Sequence, residues 1–265
     1  MQISQQKRVL GIPINDVTLL VLMNILDDRI ASKKCTTVFG FSVTLLGRLR
    51  SIPEMFDYFD RFDIVISDGA GIPPLARLLG VKLSRYIGIP NLADELVKLC
   101  SKNGYKLMLF GATEQLNKEA CENLRRQYPT LKLANGIHGY FKKDEQALVA
   151  EKIKQEDPDV LFIGISSPVK EKFALDWKDY LGVPVILPCG GMIDIYSGKT
   201  KREPKFFFGL PLAWLVRFFQ EPRRLFKPLL LPGLYFAFIV FPKAMFRIHL
   251  LGEKDVTLKE LVGAN

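Results

Sequence analysis

Few side chains in this sequence stand where they could do chemistry. The first is Asp68, which ends the apolar run Asp63–Ser67 and is followed by Gly69, Ala70 and Gly71. A carboxylate at the end of a buried strand has two readings. It caps backbone N–H groups of the next turn, or it is a general base at the carboxyl edge of an α/β sheet. A second candidate is "PCGGMID" at Pro188–Asp194, where Gly190 and Gly191 would let backbone N–H groups approach phosphates. Gly111, in "FGATEQL", also follows an apolar run, but the stretch lacks the later glycines of a dinucleotide fingerprint. No P-loop occurs, and no Ser/His/Asp arrangement is apparent. Cys35, Cys100, Cys121 and Cys189 are far apart, and His138 and His249 are the only histidines. Zinc spacing is therefore absent, and the thiols read as buried ones of a reducing compartment.

The elements that must position these residues alternate in type. Val9–Ile14, Thr36–Phe41, Asp63–Ser67, Lys106–Gly111, "LKLA", "DVLFIGIS" and "VPVILP" read as strands. Asp16–Ser32, Ile72–Leu79, Asn91–Asn103, "TEQLNKEACENLRRQYP", "DEQALVAEKIKQEDP" and "PVKEKFALDWKDYLG" read as helices, with Gly104 stopping the third. Such alternation predicts an α/β fold with a mostly parallel sheet and right-handed crossovers. Asp68, Gly111, Ser166 and Gly190 each follow a predicted strand, which would bring them toward one cleft.

The net charge of +9 predicts an anionic partner. After about Gly198 the character changes. Lys199–Arg247 carries ten basic and two acidic residues among dense aromatic and aliphatic ones. This gives an α/β core over 1–198 and a basic, apolar appendage over 199–265. The uncharged run Pro228–Pro242 is 15 residues long, short of the roughly 20 a spanning helix needs. An interfacial or re-entrant segment on an anionic membrane surface is the expectation, against an ordinary C-terminal helix packed on the core. Nucleic acid is not expected, because the basic residues lie in an apolar segment rather than on a polar helix. The N-terminus lacks the apolar stretch of a secretory signal, so a cytoplasmic location is expected.

Taken in order, the motifs are more specific. "LGIPIND" at Leu10–Asp16, "FDIVISDGAG" at Phe62–Gly71, "HGYF" at His138–Phe141, "PCGGMIDIYSGKTKREPKFF" from Pro188 and "EPRRLFK" at Glu221–Lys227 resemble the motifs of the WecG/TagA/CpsF family of bacterial glycosyltransferases. The resemblance runs to about Lys227. It implies a Rossmann-like core and an inverting transfer that needs no metal or other cofactor. The sugar would move from a UDP-sugar to a polyprenyl-diphosphate-linked saccharide at the cytoplasmic face of the inner membrane, in cell-surface polysaccharide or teichoic acid assembly. The protein would be peripheral, and its oligomeric state is open, a homo-oligomer included. Donors of the UDP-ManNAc, UDP-ManNAcA, UDP-glucose or UDP-glucuronate type fit the family.

Asp68 matches the family's proposed catalytic base. The resemblance also assigns substrate contacts to Gly40, Ser42, Gly69, Gly71, Gly111, Tyr140, Ser167, Lys170, Gly190, Gly191, Asp194 and Arg202. Arg217, Arg223 and Arg224 of the appendage would stabilise the leaving diphosphate or meet lipid phosphates.

The sequence departs from the family in three places. The usual T-x-N is Gly40-Phe41-Ser42, and the Gly-Ser/Thr-Asp stretch is "GIPN" at Gly88–Asn91. Lys170 stands in "SSPVKEKF" where a Gln is usual. Altered specificity is one consequence. Another is a noncatalytic member that binds lipid-linked intermediates or scaffolds an assembly complex. Lys170 itself has three readings: a ligand of the UDP diphosphate, a partner for a carboxylate on the sugar, or a solvated lysine in a "KEK" run.

Overall fold

The computed structural model describes residues 6–202 and 231–264. Six strands form one fully parallel sheet: β3 Thr36–Phe41, β4 Ile64–Ser67, β5 Lys106–Gly111, β6 Lys132–Leu133, β7 Val160–Gly164 and β8 Val185–Pro188. Their order across the sheet is β4-β3-β8-β7-β5-β6. Every residue of β4 and β8 is buried, as expected for strands covered on both faces. The single predicted strand over Val9–Ile14 is instead a hairpin outside this sheet, β1 Gln6–Val9 paired antiparallel with β2 Ile12–Asn15. The turn requires positive φ at Leu10 (49°) and Gly11 (81°).

Helices cover both faces. On one lie α1 Leu19–Ala31, α5 Ile89–Asn103 and α6 Glu114–Gln127. Their Leu22, Leu26, Leu92, Leu96 and Leu124 pack with Val38, Ile64 and Leu109 of the sheet. On the other lie α2 Val43–Leu46, α3 Met55–Phe59, α4 Ile72–Leu78, α7 Gln146–Glu156 and α8 Val169–Leu181, around Phe39, Phe41, Phe110 and Phe173. The short α9 Met192–Tyr196 follows β8. The chain signals that end and begin these helices are local. Thr18 and Thr113 each accept a backbone N–H in the first turn of α1 and α6. Gly104, at φ 72°, terminates α5 in the left-handed conformation.

The described part of the appendage rejoins this core. Helix α10, Leu231–Leu250, is 20 residues long and holds an 18-residue stretch of mean hydropathy 1.3, long and apolar enough to cross a membrane. It outruns the uncharged segment because it continues through Lys243 and Arg247. Pro242 lacks the N–H an α-helix needs, and the helix contains π-type turns over Phe236–Val240 and Phe246–Leu250 on either side. One stripe, Phe236, Val240 and Ala244, is buried against the core. The opposite side exposes Leu234, Phe238, Ile239 and Leu250. His249 Nε2 lies 2.7 Å from the Leu78 carbonyl at the end of α4. A last helix, α11 Leu258–Val262, returns to the hairpin through Leu258 N–H to the Leu10 carbonyl at 2.8 Å.

Candidate active site

Asp68 continues the ladder one residue past β4: its N–H donates to the Phe41 carbonyl at 2.8 Å. The chain then turns through Gly69, at φ 87°, into α4, with Gly71 at the helix start. On the other side of Ser67, Ile87 N–H donates to the Ser67 carbonyl at 2.8 Å. Two residues later, Ile89 N–H, at the first turn of α5, donates to Oδ1 of Asp68 at 2.9 Å. So the two sequence readings of Asp68 are not exclusive. It does bind a helix N-terminus, but that of α5, twenty-one residues on, rather than the turn that follows it. The bond fixes a half-buried carboxylate at the carboxyl edge of the sheet.

Gly40 lies beside it. A Cβ there would fall 2.5 Å from Ile89 Cγ1 and 3.1 Å from Asp68 Cβ. The glycine is the space into which Ile89 packs. Ser42 precedes α2 and pairs its hydroxyl with Thr44 Oγ1 at 2.9 Å.

A second group of residues comes from the ends of β7 and β8. Lys170, in the first turn of α8, is not solvated: its side chain is 13 % exposed and ion-paired with Glu171, which is 1 % exposed. Its Nζ also donates to Ser167 Oγ at 2.6 Å, and Ser167 donates to the same Glu171 oxygen at 2.7 Å. Burial pulls the Lys170 ammonium down to about 7; Cys189 and Asp68 oppose the fall and Arg48 adds to it. The glycine turn after β8 is adjacent, since a Cβ on Gly190 would lie 3.9 Å from Lys170 Cε. Gly191 has open space where a Cβ would stand. Burial lifts the Cys189 thiol to about 12, leaving it inert.

Arg48, just past α2, is half-buried. Desolvation pulls its guanidinium below the usual range. Among the described residues its guanidinium makes no hydrogen bond, ion pair or ring contact, while its backbone N–H donates to the Leu45 carbonyl at 2.9 Å.

Arg202 is anchored at the root of the appendage. It pairs with Asp94 and donates to Asn91 Oδ1 at 2.5 Å. Tyr196 OH donates to Asp94 at 3.1 Å. Asn91 and Asp94 belong to α5, the helix that holds Asp68. Asp194, in α9, lies 3.7 Å from Lys199 Nζ. Gly111 and Tyr140 are not brought to Asp68. β5 lies four strands from β4, roughly 19 Å at about 4.8 Å per strand. Gly111 serves close strand packing there, because a Cβ would meet the Gly164 carbonyl at 2.4 Å. Tyr140 is 73 % exposed in a loop tied to that strand end by Gly139 N–H to the Ala112 carbonyl, 2.8 Å. Arg217, Arg223 and Arg224 lie outside the described residues.

Residues 7–249 match the Glycosyl transferase WecG/TagA/CpsF family. The chain belongs to this family. Among similar curated proteins, one from Bacillus subtilis (strain 168) is 28% identical over 179 residues, 68% of this chain and 69% of its own length. One from Bacillus spizizenii is 28% identical over 191 residues, 72% and 74% of the two chains. A third, from Staphylococcus aureus (strain MW2), is 23% identical over 219 residues, 82% and 85%. Each is named an N-acetylglucosaminyldiphosphoundecaprenol N-acetyl-beta-D-mannosaminyltransferase.

Three residues near Asp68 and Lys170 in this WecG/TagA/CpsF family chain were not read from the sequence. Arg48 sits in "LLGRLRS", helical text with no motif. Glu171 reads as one charge of a surface run and is buried. The Ile89 contribution is a backbone N–H and carries no side-chain signal; only Pro90, suited to a helix start, pointed to an α5 terminus there.

Proposed function

We propose that the chain is an inverting glycosyltransferase that moves a sugar from a UDP-sugar onto a polyprenyl-diphosphate-linked saccharide. The observation that carries this reading is the Asp68 carboxylate, held by Ile89 N–H at the sheet's carboxyl edge within electrostatic reach of the desolvated cation Lys170. The acceptor hydroxyl oxygen attacks the anomeric carbon of the donor and its proton passes to Asp68. The bond from that carbon to the diphosphate oxygen breaks, and the electron pair leaves with UDP. Negative charge grows on the leaving diphosphate, and positioned cations and backbone N–H groups lower the barrier by meeting it. Lys170, the Gly190–Gly191 turn and the appendage arginines Arg217, Arg223 and Arg224 are assigned that role, so no metal is required. Gly111 and Tyr140, farther along the sheet edge, are assigned to the nucleotide end of the donor.

The relatives' names make an N-acetylglucosaminyl-diphosphate lipid the first acceptor to try and UDP-N-acetylmannosamine the first donor. The Glu171 contact weakens the case for a sugar carboxylate at Lys170, because a carboxylate of the chain already occupies that position. The exposed side of α10 is assigned to the cytoplasmic leaflet, with the buried stripe holding the helix along the core as a peripheral anchor. The test is transfer itself: purified chain, the lipid acceptor and a panel of UDP-sugars, with UDP release and lipid-linked product both measured. Product with one donor supports the reading. UDP-sugar and lipid binding without product from any donor would favour a noncatalytic scaffold.

A further inference from the structure

Arg48 is a half-buried, partly desolvated cation. Desolvating a cation without a counter-charge is unfavourable, and buried charges in folded proteins are normally paired. Nothing among the described residues pairs it.

Its surroundings run in order from the reaction centre to the apolar helix. Lys170 is within electrostatic reach of both Asp68 and Arg48. Beside Arg48, Gly47 abuts the start of α10 so closely that a Cβ there would fall 2.0 Å from the Pro232 carbonyl oxygen. Arg50 lies over the Tyr235 ring at 4.8 Å. A lipid-linked acceptor has the same order of chemistry: a sugar hydroxyl, then a diphosphate, then a hydrocarbon tail. With the hydroxyl at Asp68 and the tail toward α10, the diphosphate falls where Arg48 stands. A guanidinium offers phosphate a planar fork of N–H donors. Lys170 uses two of its three donors on Ser167 and Glu171 and keeps one.

We propose that Arg48 binds the diphosphate of the lipid-linked acceptor, with the remaining donor of Lys170 beside it. The proposal rests on the acceptor class assigned above. The sugar donor also carries a diphosphate, and the test separates the two.

Arg48→Gln and Arg48→Lys are made in the full chain. Farnesyl diphosphate and UDP are titrated separately by calorimetry, and the KM of acceptor and of donor are measured in detergent. Arg48→Gln is expected to weaken farnesyl diphosphate binding and raise the acceptor KM by about tenfold or more, leaving UDP affinity and donor KM unchanged. Arg48→Lys should fall between, keeping the charge but losing the fork, and it serves if the Gln variant does not fold. The melting temperature of Arg48→Gln should equal or exceed the parent's, because a desolvated charge has been removed. Equal losses for UDP and farnesyl diphosphate, or a loss for UDP alone, would assign Arg48 to the donor and overturn the proposal. So would unchanged farnesyl diphosphate binding, no binding by the parent chain, or a variant that melts well below it. The titration needs no turnover. Arg48-dependent binding without transfer to any acceptor would sink the transferase reading alone. Transfer with Arg48-independent binding would sink this inference alone.

Discussion

Gly40 and Ile89 are one packing event. A Cβ on residue 40 would stand 2.5 Å from Ile89 Cγ1, so the glycine of β3 exists in company with the isoleucine that opens α5. Both lie in stretches where the sequence departs from the motifs that the family resemblance implies, Gly40 in place of the Thr of T-x-N and Ile89 within "GIPN". Read separately they look like two losses. Read together they exchange bulk across one contact, next to the carboxylate that Ile89 N–H positions.

This pairing predicts a compensation. Gly40→Thr alone should overpack the site, with a cost of about 1–3 kcal/mol, and should displace Ile89 and with it Asp68. Gly40→Thr combined with Ile89→Ser should recover most of the lost stability. Thermal unfolding of the two single variants and the double variant gives the coupling. Additive losses would show the two positions to be independent.

Lys170 predicts a pH dependence of stability. Its folded pKa, about 7, is below its unfolded value of 10.5. Between these values the unfolded chain binds more protons, so stability rises with pH across that window. Below about 7 the buried charge weighs fully against the fold; above 10.5 the contribution vanishes. Lys170→Met should lack the rise. Melting temperatures of parent and variant from pH 6 to 10, on the order of one pH unit apart, check this, and parallel curves would refute it.

Helix α10 predicts two classes of variant. Val240 is fully buried, so Val240→Asp should destabilise the fold by a few kcal/mol, on the order of 2–5. Phe238 is 72 % exposed. Phe238→Asp should leave melting unchanged within about 0.5 kcal/mol but reduce flotation with anionic liposomes. Unchanged flotation would place the membrane contact elsewhere.

Much of the fold was legible because it is periodic. Strand runs such as Ile64–Ser67 and Val185–Pro188 are continuous and apolar, and glycine stops such as Gly104 are local signals. The hairpin at Leu10–Gly11 was missed because a positive-φ turn at a leucine has little sequence signature. Asp68 was legible from its place after a strand, but its partner was not, since a backbone N–H twenty-one residues away leaves no mark in composition. Of the three readings of Lys170, the solvated one fails for a similar reason. The ion pair with Glu171 is between neighbours in sequence, and only the packing of α8 against β7 and β8 shows that both are buried. Gly111 and Asp68 both end strands, yet strand order, which crossovers decide, puts them far apart.

Asp68 is assigned the acceptor's proton. Asp68→Asn keeps an oxygen for the Ile89 N–H and loses the proton acceptor. The direct measurement is the rate of sugar transfer to an N-acetylglucosaminyl-diphosphate lipid by parent and variant, at matched folding and with saturating donor. A fall of roughly 10²–10⁴ in kcat is expected, with the melting curve unchanged. Turnover of the variant at the parental rate would contradict it and leave Asp68 a residue that only positions α5.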